Sequence, residues 1–146
     1  MAGDQSMVDT WLLPAVEGTE DAEHWAAARR GELAIQGCLS CGALRHPPRP
    51  MCPECRSVER GWRVMSGRGR VWSFVVPHPP LLPAYQAIAP YNVVVVELDE
   101  SPRIRLVGNL VDDDAGGVRP IEIGMPVEAV FTPRTDDVTL IQWRSP

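Results

Sequence analysis

Four cysteines are the residues of this chain best suited to chemistry, and they come as two tight pairs, Cys38-Leu39-Ser40-Cys41 and Cys52-Pro53-Glu54-Cys55. Ten residues separate the pairs. Thiolates are soft ligands. Two C-x-x-C turns at this distance bring four sulfurs to the corners of one tetrahedron, as in closed structural Zn²⁺ sites. A thioredoxin-type redox pair uses a single C-x-x-C at the start of a helix, not two turns flanked by proline and glycine. A catalytic zinc keeps one coordination position open, and four sulfurs leave none. The His-x-Glu element that accompanies Pro-Cys-x-x-Cys in zinc deaminases is also missing. The expectation is one structural Zn²⁺ held by Cys38, Cys41, Cys52 and Cys55 in a zinc ribbon.

The other reactive types are scattered. His24 falls on the solvent side of a predicted helix, and His46 and His78 precede prolines in loops. No Gly-x-Ser-x-Gly elbow, phosphate loop or dinucleotide fingerprint occurs. The chain therefore shows no complete catalytic set.

The elements that must position the cysteines follow from size and pattern. A chain of 146 residues with 45% apolar and 23% charged residues holds one moderate domain or two very small ones. Metal binding helps a short segment fold when it buries too little apolar surface alone. No apolar run approaches the roughly 20 residues of a membrane helix, and Met1 to Val8 lacks the pattern of a secretory signal. Paired cysteines in such a chain point to the reducing cytoplasm. The formal net charge is −5, and all 14 basic residues are arginine. Global acidity argues against non-specific binding to nucleic acid.

Residues 1–31 read as a tail and a short helix. Thr19 suits the N-cap, Glu20, Asp21 and Glu23 suit the positive helix end, and Gly31 suits the stop. Ala22, Trp25, Ala26 and Arg29 share one face by spacing, with Trp25 as the anchor. Residues 32–65 read as the ribbon, with strands at 32–36 and 61–64 and a proline-rich connector at 45–50. Residues 66–146 read as five short strands, at 70–76, 91–98, 104–111, 127–131 and 139–143, separated by turn signals such as 112–117. The valine run of the second suggests burial on both faces. Five strands of this length suit a small Greek-key barrel of the OB type, with glycines 67, 69 and 108 serving bent strands. The fold class is thus mainly β: an N-terminal helical segment, a Cys₄ zinc ribbon and a C-terminal five-stranded OB-fold barrel. Residues 77–90 hold five prolines but also Leu81, Leu82, Tyr85 and Ile88. That composition reads as a rigid loop that covers the barrel or offers an apolar surface to a partner.

The order of motifs carries a resemblance. Trp25, Gly31-Glu32-Leu33, Cys38-x-x-Cys41-Gly42, Pro48-Arg49-Pro50-x-Cys52-Pro53-x-Cys55, Ser66-Gly67-x-Gly69-x-Val71-x-Ser73, Pro90-Tyr91 and Ile123-Gly124-Met125-Pro126-Val127 follow in sequence. Over about residues 20–131 the chain resembles the DUF35 family, whose members join a helical segment, a rubredoxin-like zinc ribbon and an OB-fold. The resemblance implies an accessory subunit of a thiolase-like acyl-CoA enzyme, such as a steroid side-chain aldolase or a thiolase complex. Such a subunit would stabilise its partner in a hetero-oligomer and help shape the acyl-CoA channel. Some members are fused to a MaoC-like hydratase domain. The expectation is that no such segment precedes residue 1 and that any hydratase activity lies in another chain. One departure is Arg56 after the second pair, where many ribbons carry glycine. It costs little if its φ is negative.

Under that reading two further sets of residues become candidates. Arg56, Arg60, Arg63, Arg68 and Arg70 lie within fifteen residues that hold one acid, Glu59. Their forks suit the phosphates of a coenzyme A thioester shared with the partner, an acidic patch on that partner, or simply a solvated face. Trp11, Leu12 and Leu13, with Leu81, Leu82, Tyr85 and Ile88, are the candidate partner interface. The rival class is a zinc-ribbon/OB-fold protein that binds single-stranded nucleic acid, with Trp72 and Phe74 stacking bases from one face of a strand. Net acidity, few aromatics and the absence of lysine weigh against it.

Overall fold

The structure is a computed structural model that describes residues 12–111 and 120–146. Trp11 and the turn signals at 112–117 lie outside the described residues.

A helix, α1 (Ala22–Arg29), opens the fold. Gly31, at φ +77°, ends it, with the amides of Arg30 and Gly31 donating to the carbonyls of Ala27 and Ala28. Strands β1 (Leu33–Cys38), β2 (Leu44–Arg45) and β3 (Arg60–Met65) form an antiparallel sheet in the order β2-β1-β3. The middle strand β1 is buried along its whole length. Then come β4 (Arg68–Val75), a short helix α2 (Pro83–Gln86), β5 (Val93–Leu98), β6 (Ser101–Gly108), β7 (Pro126–Pro133) and β8 (Thr139–Arg144). The five strands pair antiparallel in the order β6-β5-β4-β7-β8. A parallel bridge from Leu110 to Trp143 curls the sheet shut: Trp143 N–H donates to Asn109 O (2.9 Å) and Val111 N–H to Trp143 O (2.7 Å).

One core runs through both sheets. Ala28, Leu33, Ile35 and Met65 join Val71, Val94, Val96, Ile104, Leu106, Val127, Ile141 and Trp143 in a continuous buried cluster. Each fully buried Leu, Ile or Val contributes about 1.5–3 kcal/mol, so the ribbon and barrel support each other.

Three local expectations change. The buried side of α1 is His24, Ala27 and Ala28, not Ala22, Trp25, Ala26 and Arg29. The two alanines let the helix approach β1 closely, and His24 turns inward because Nδ1–H donates to the Ala34 carbonyl (2.8 Å). Trp25 still packs at the edge of the core, its Nε1–H donating to Asp21 (2.9 Å). The valine run of β5 alternates: Val94 and Val96 are buried, Val93 and Val95 half-buried. Trp72 and Phe74 do not share a face. The pairing steps from Val71↔Val96 to Ser73↔Val95, which makes Trp72 the extra residue of a β-bulge. Phe74 packs against the core, while Trp72 is 48% exposed with the Arg105 guanidinium 3.8 Å over its ring.

The buried histidine has a consequence for pH. His24 and His46 lie with ring centroids 5.1 Å apart, tying α1 to the connector after β2. Burial holds both below the usual imidazole range, and for His46, with His24 beside it, down to about 4; Asp21 opposes the shift in each. The folded chain keeps them neutral where an unfolded chain takes up protons. Stability is therefore full above about pH 6.5 and falls as pH drops toward 4. Between pH 6.5 and 5, His46 alone should account for a loss of about 2 kcal/mol. Urea unfolding of zinc-saturated protein across that range should show a shallower decline for His46→Gln than for the parent. Parallel declines would contradict the assignment.

Candidate metal centre

Each cysteine pair sits in a tight turn built the same way. In the first, the amide of Gly42 donates to the Cys38 carbonyl (2.9 Å) and that of Cys38 to the Ala43 carbonyl (2.9 Å). In the second, Arg56 donates to Cys52 (2.9 Å) and Cys52 to Ser57 (2.8 Å). The turns face each other, joined by Ser40 Oγ and Ser57 Oγ at 2.8 Å and by Leu39 N–H donating to Glu59 O (3.0 Å). In each pair the first cysteine is buried and the second exposed.

The four sulfurs converge. Cys38 and Cys55 Sγ are 3.5 Å apart, Cys41 and Cys52 Sγ are 3.7 Å apart, and all four lie within 4.8 Å of one another. Zn–S bonds of about 2.3 Å give tetrahedral edges of about 3.8 Å, so the donor set fits Zn²⁺ in type, number and spacing. The backbone is arranged for thiolates. Amides of Cys41 and Ser40 point at the Cys38 sulfur, and those of Cys55 and Glu54 at the Cys52 sulfur. Those amides hold the Cys38 thiol down to about 6 and lower Cys52 as well. Ala43 and Ser57 supply amides to Cys41 and Cys55, but burial and the crowding sulfurs outweigh them: Cys41 is pushed up to about 12, and Cys55 is raised. Four thiols this close cannot all ionise alone, whereas a dication at their centre favours four thiolates.

Arg56 is the surprise of the second turn. Its φ is +64°, matching Gly42 at +77°, and it is the one non-glycine residue with positive φ among the described residues. The negative φ that would have made this residue cheap is not adopted, because the turn needs a left-handed residue after its second cysteine. A side chain in that region costs about 1 kcal/mol. Arg56→Gly should raise the melting temperature by about 2–4 °C, while Gly42→Ala should lower it by a similar amount. Thermal unfolding of the metal-loaded proteins reads both, and no gain in the first would remove the strain argument.

The other candidates are dispersed. Arg60 pairs with Glu20 (3.4 Å), Arg70 Nη1 donates to the Gly124 carbonyl (3.1 Å), and Arg63 and Arg68 line different clefts. Arg56, Arg63, Arg68 and Arg70 are exposed. Leu12 and Leu82 are exposed, and Leu13, Leu81, Tyr85 and Ile88 half-buried, with the Tyr85 ring 5.7 Å from that of Tyr91. A network that the sequence did not reveal holds the connector: Gln36 Oε1 accepts from Arg45 Nε (2.6 Å) and the Arg49 amide (2.8 Å), and Arg45 Nη2 donates to the Arg49 carbonyl (3.2 Å). A glutamine in an apolar strand followed nine residues later by an arginine is too common a pattern to have marked it.

Comparison with known proteins agrees with this architecture. Residues 25–59 match the family described as the ChsH2 rubredoxin-like zinc ribbon domain, and residues 62–132 match the ChsH2 C-terminal OB-fold domain. A probable enoyl-CoA hydratase alpha subunit of Thermomonospora curvata is 41% identical over 136 residues, 91% of this chain and 40% of that protein. The chain thus spans about two fifths of that relative's length. A DUF35 domain-containing scaffold protein of Methanothermobacter thermautotrophicus is 38% identical over 115 residues, 77% of this chain and 82% of the relative. Among solved structures, a chain of the Ltp2-ChsH2(DUF35) aldolase matches with a TM-score of 0.76 and 40% identity, covering 90% of this chain and 98% of that one. With ribbon, barrel and four convergent sulfurs in the same order, this chain belongs to the DUF35 family.

Proposed function

We propose that this chain is a zinc-stabilised accessory subunit that docks on a thiolase-like acyl-CoA enzyme, forming a hetero-oligomer in the cytoplasm. The observation that carries this reading is the match to nearly the whole of one chain of the Ltp2-ChsH2(DUF35) aldolase. The chemistry of the chain agrees. One Zn²⁺ on Cys38, Cys41, Cys52 and Cys55 has no open position for substrate, so its work is structural. The partner then supplies the catalytic residues and most of the acyl-CoA site.

The surface is suited to such a role. The outer face of β4–β5–β6 carries Val75 and Val107, both largely exposed, near half-buried Val95, with Trp72 half-exposed beneath Arg105. Leu82 adds another exposed apolar residue on the 77–90 segment. Exposed apolar residues of this kind support a docking role. The nucleic-acid reading is not favoured. The chain is acidic, its Trp72 ring is capped by Arg105, and Phe74 faces the core.

Co-expression with a candidate thiolase-like partner tests the proposal. The two should co-purify through size exclusion as one species, and acyl-CoA turnover should require both. A chain that stays monodisperse alone and turns over an acyl-CoA unaided would overturn it.

A further inference from the structure

The ribbon and barrel meet at an open cleft of about 540 Å³. Its charged wall consists of Arg45, Arg49, Arg63 and Arg103 facing Glu54 and Glu100. A surplus of arginine there stands against the net charge of −5 on the whole chain.

Arg45 is the unusual member. It is 7% exposed, and its hydrogen bonds go to two neutral acceptors, Gln36 Oε1 and the Arg49 carbonyl. Its Nη1 has no partner. Among the described residues it has no carboxylate, so a full positive charge is held in the wall without a counter-ion. Such a charge is costly to bury and draws an anion to its vicinity. Arg49 and Arg63 are exposed at the same cleft, and neither forms an ion pair among the described residues. Their guanidinium forks are free to grip oxygen pairs. Arg103 is held by Glu54 at 3.1 Å in a bridge between the second cysteine turn and β6. An incoming anion competes with that carboxylate.

We propose that this cleft is a binding site for a phosphate-class oxyanion. Arg45 supplies the buried uncompensated charge, Arg49 and Arg63 grip the ligand, and Glu54 gates Arg103. The site is built from this chain alone, and it stands or falls separately from the docking proposal.

The test is calorimetric titration of the zinc-loaded chain at low salt with inorganic phosphate, pyrophosphate and coenzyme A. Saturable binding of pyrophosphate is expected, weakening steeply with added salt. Combined Arg49→Met and Arg63→Met should weaken it at least tenfold, and Glu54→Gln should tighten it several-fold by freeing Arg103. Arg45→Met, which removes a buried partner of Gln36, serves only if circular dichroism shows the native fold; the exposed variants carry the test without it. Coenzyme A binding more tightly than pyrophosphate would support the site and identify its ligand as nucleotide-borne. Equal affinities would support it as a site for simple phosphates. No saturable binding at millimolar ligand, or binding unchanged in the double arginine variant, would overturn the proposal.

Discussion

Removing the metal, or replacing Cys52 with serine, will cost the chain about 3 kcal/mol or more and unfold the ribbon. Structural zinc contributes on the order of 10–16 kcal/mol of apparent binding free energy, and in a small domain much of that is folding free energy. The ligands here are placed to transmit it. Cys38 is the last residue of β1, and the same strand sends Leu33 and Ile35 into the shared core. Cys52 is 1% exposed and anchors the second turn through its carbonyl and amide. Without the dication, the four crowded sulfurs cannot all ionise: Cys41 and Cys55 keep their protons, and nothing ties the first turn to the second through the sulfurs. The turns then separate, β1 loses its end, and the core opens at Leu33 and Ile35. Metal analysis should give one zinc per folded chain. Calorimetry with and without chelator should show a melting temperature lower by about 10 °C or more in the stripped protein. A stripped sample that melts as the loaded one does would remove the metal from the folding argument. Cys41→Ser, at an exposed sulfur, should be the milder of the single replacements.

The cysteine spacing was legible because a metal site demands fixed ligand types at fixed separations, whatever surrounds them. The five barrel strands were legible because β-branched runs and turn residues punctuate the sequence at short intervals. The face of α1 was not. Eight residues give barely two turns, alanine occurs on every side, and a histidine reads as polar until a carbonyl such as that of Ala34 waits for it. The bulge at Trp72 was not legible either, since an extra residue in a strand is defined only by the partner it fails to match. Arg56 shows the converse case. The departure from glycine was visible in the sequence, but the sign of its φ depends on the geometry of the turn around the metal. The arginines between residues 56 and 70 looked like one patch because they are close in sequence. A turn, a strand, a glycine corner and a second strand send them to different surroundings, while the cleft between ribbon and barrel draws Arg45, Arg49 and Arg103 from elsewhere.

Gly69→Ala will destabilise the protein by about 3–4 kcal/mol, although Gly69 has no positive φ and lies in a regular strand. The reason is distance rather than backbone freedom. A Cβ on Gly69 would lie 2.4 Å from the Glu97 carbonyl oxygen and 2.7 Å from Val96 Cγ1. The carbonyl is backbone of β5, and Gly69 pairs with Leu98 in the adjoining register. The neighbouring strand cannot retreat without breaking the ladder that links β4 to β5, and Val96 is fully buried. Gly37 is the control. It also lies in a strand, but the atoms nearest to a methyl added there would be the flexible ends of Arg63 and Leu44 at 3.6 Å, ordinary contact. Gly37→Ala should therefore cost under about 1 kcal/mol. Chemical denaturation of both variants in parallel, zinc-loaded, measures the contrast. Equal losses would mean that β4 and β5 have room to part, and that the glycine serves strand bending instead of close approach.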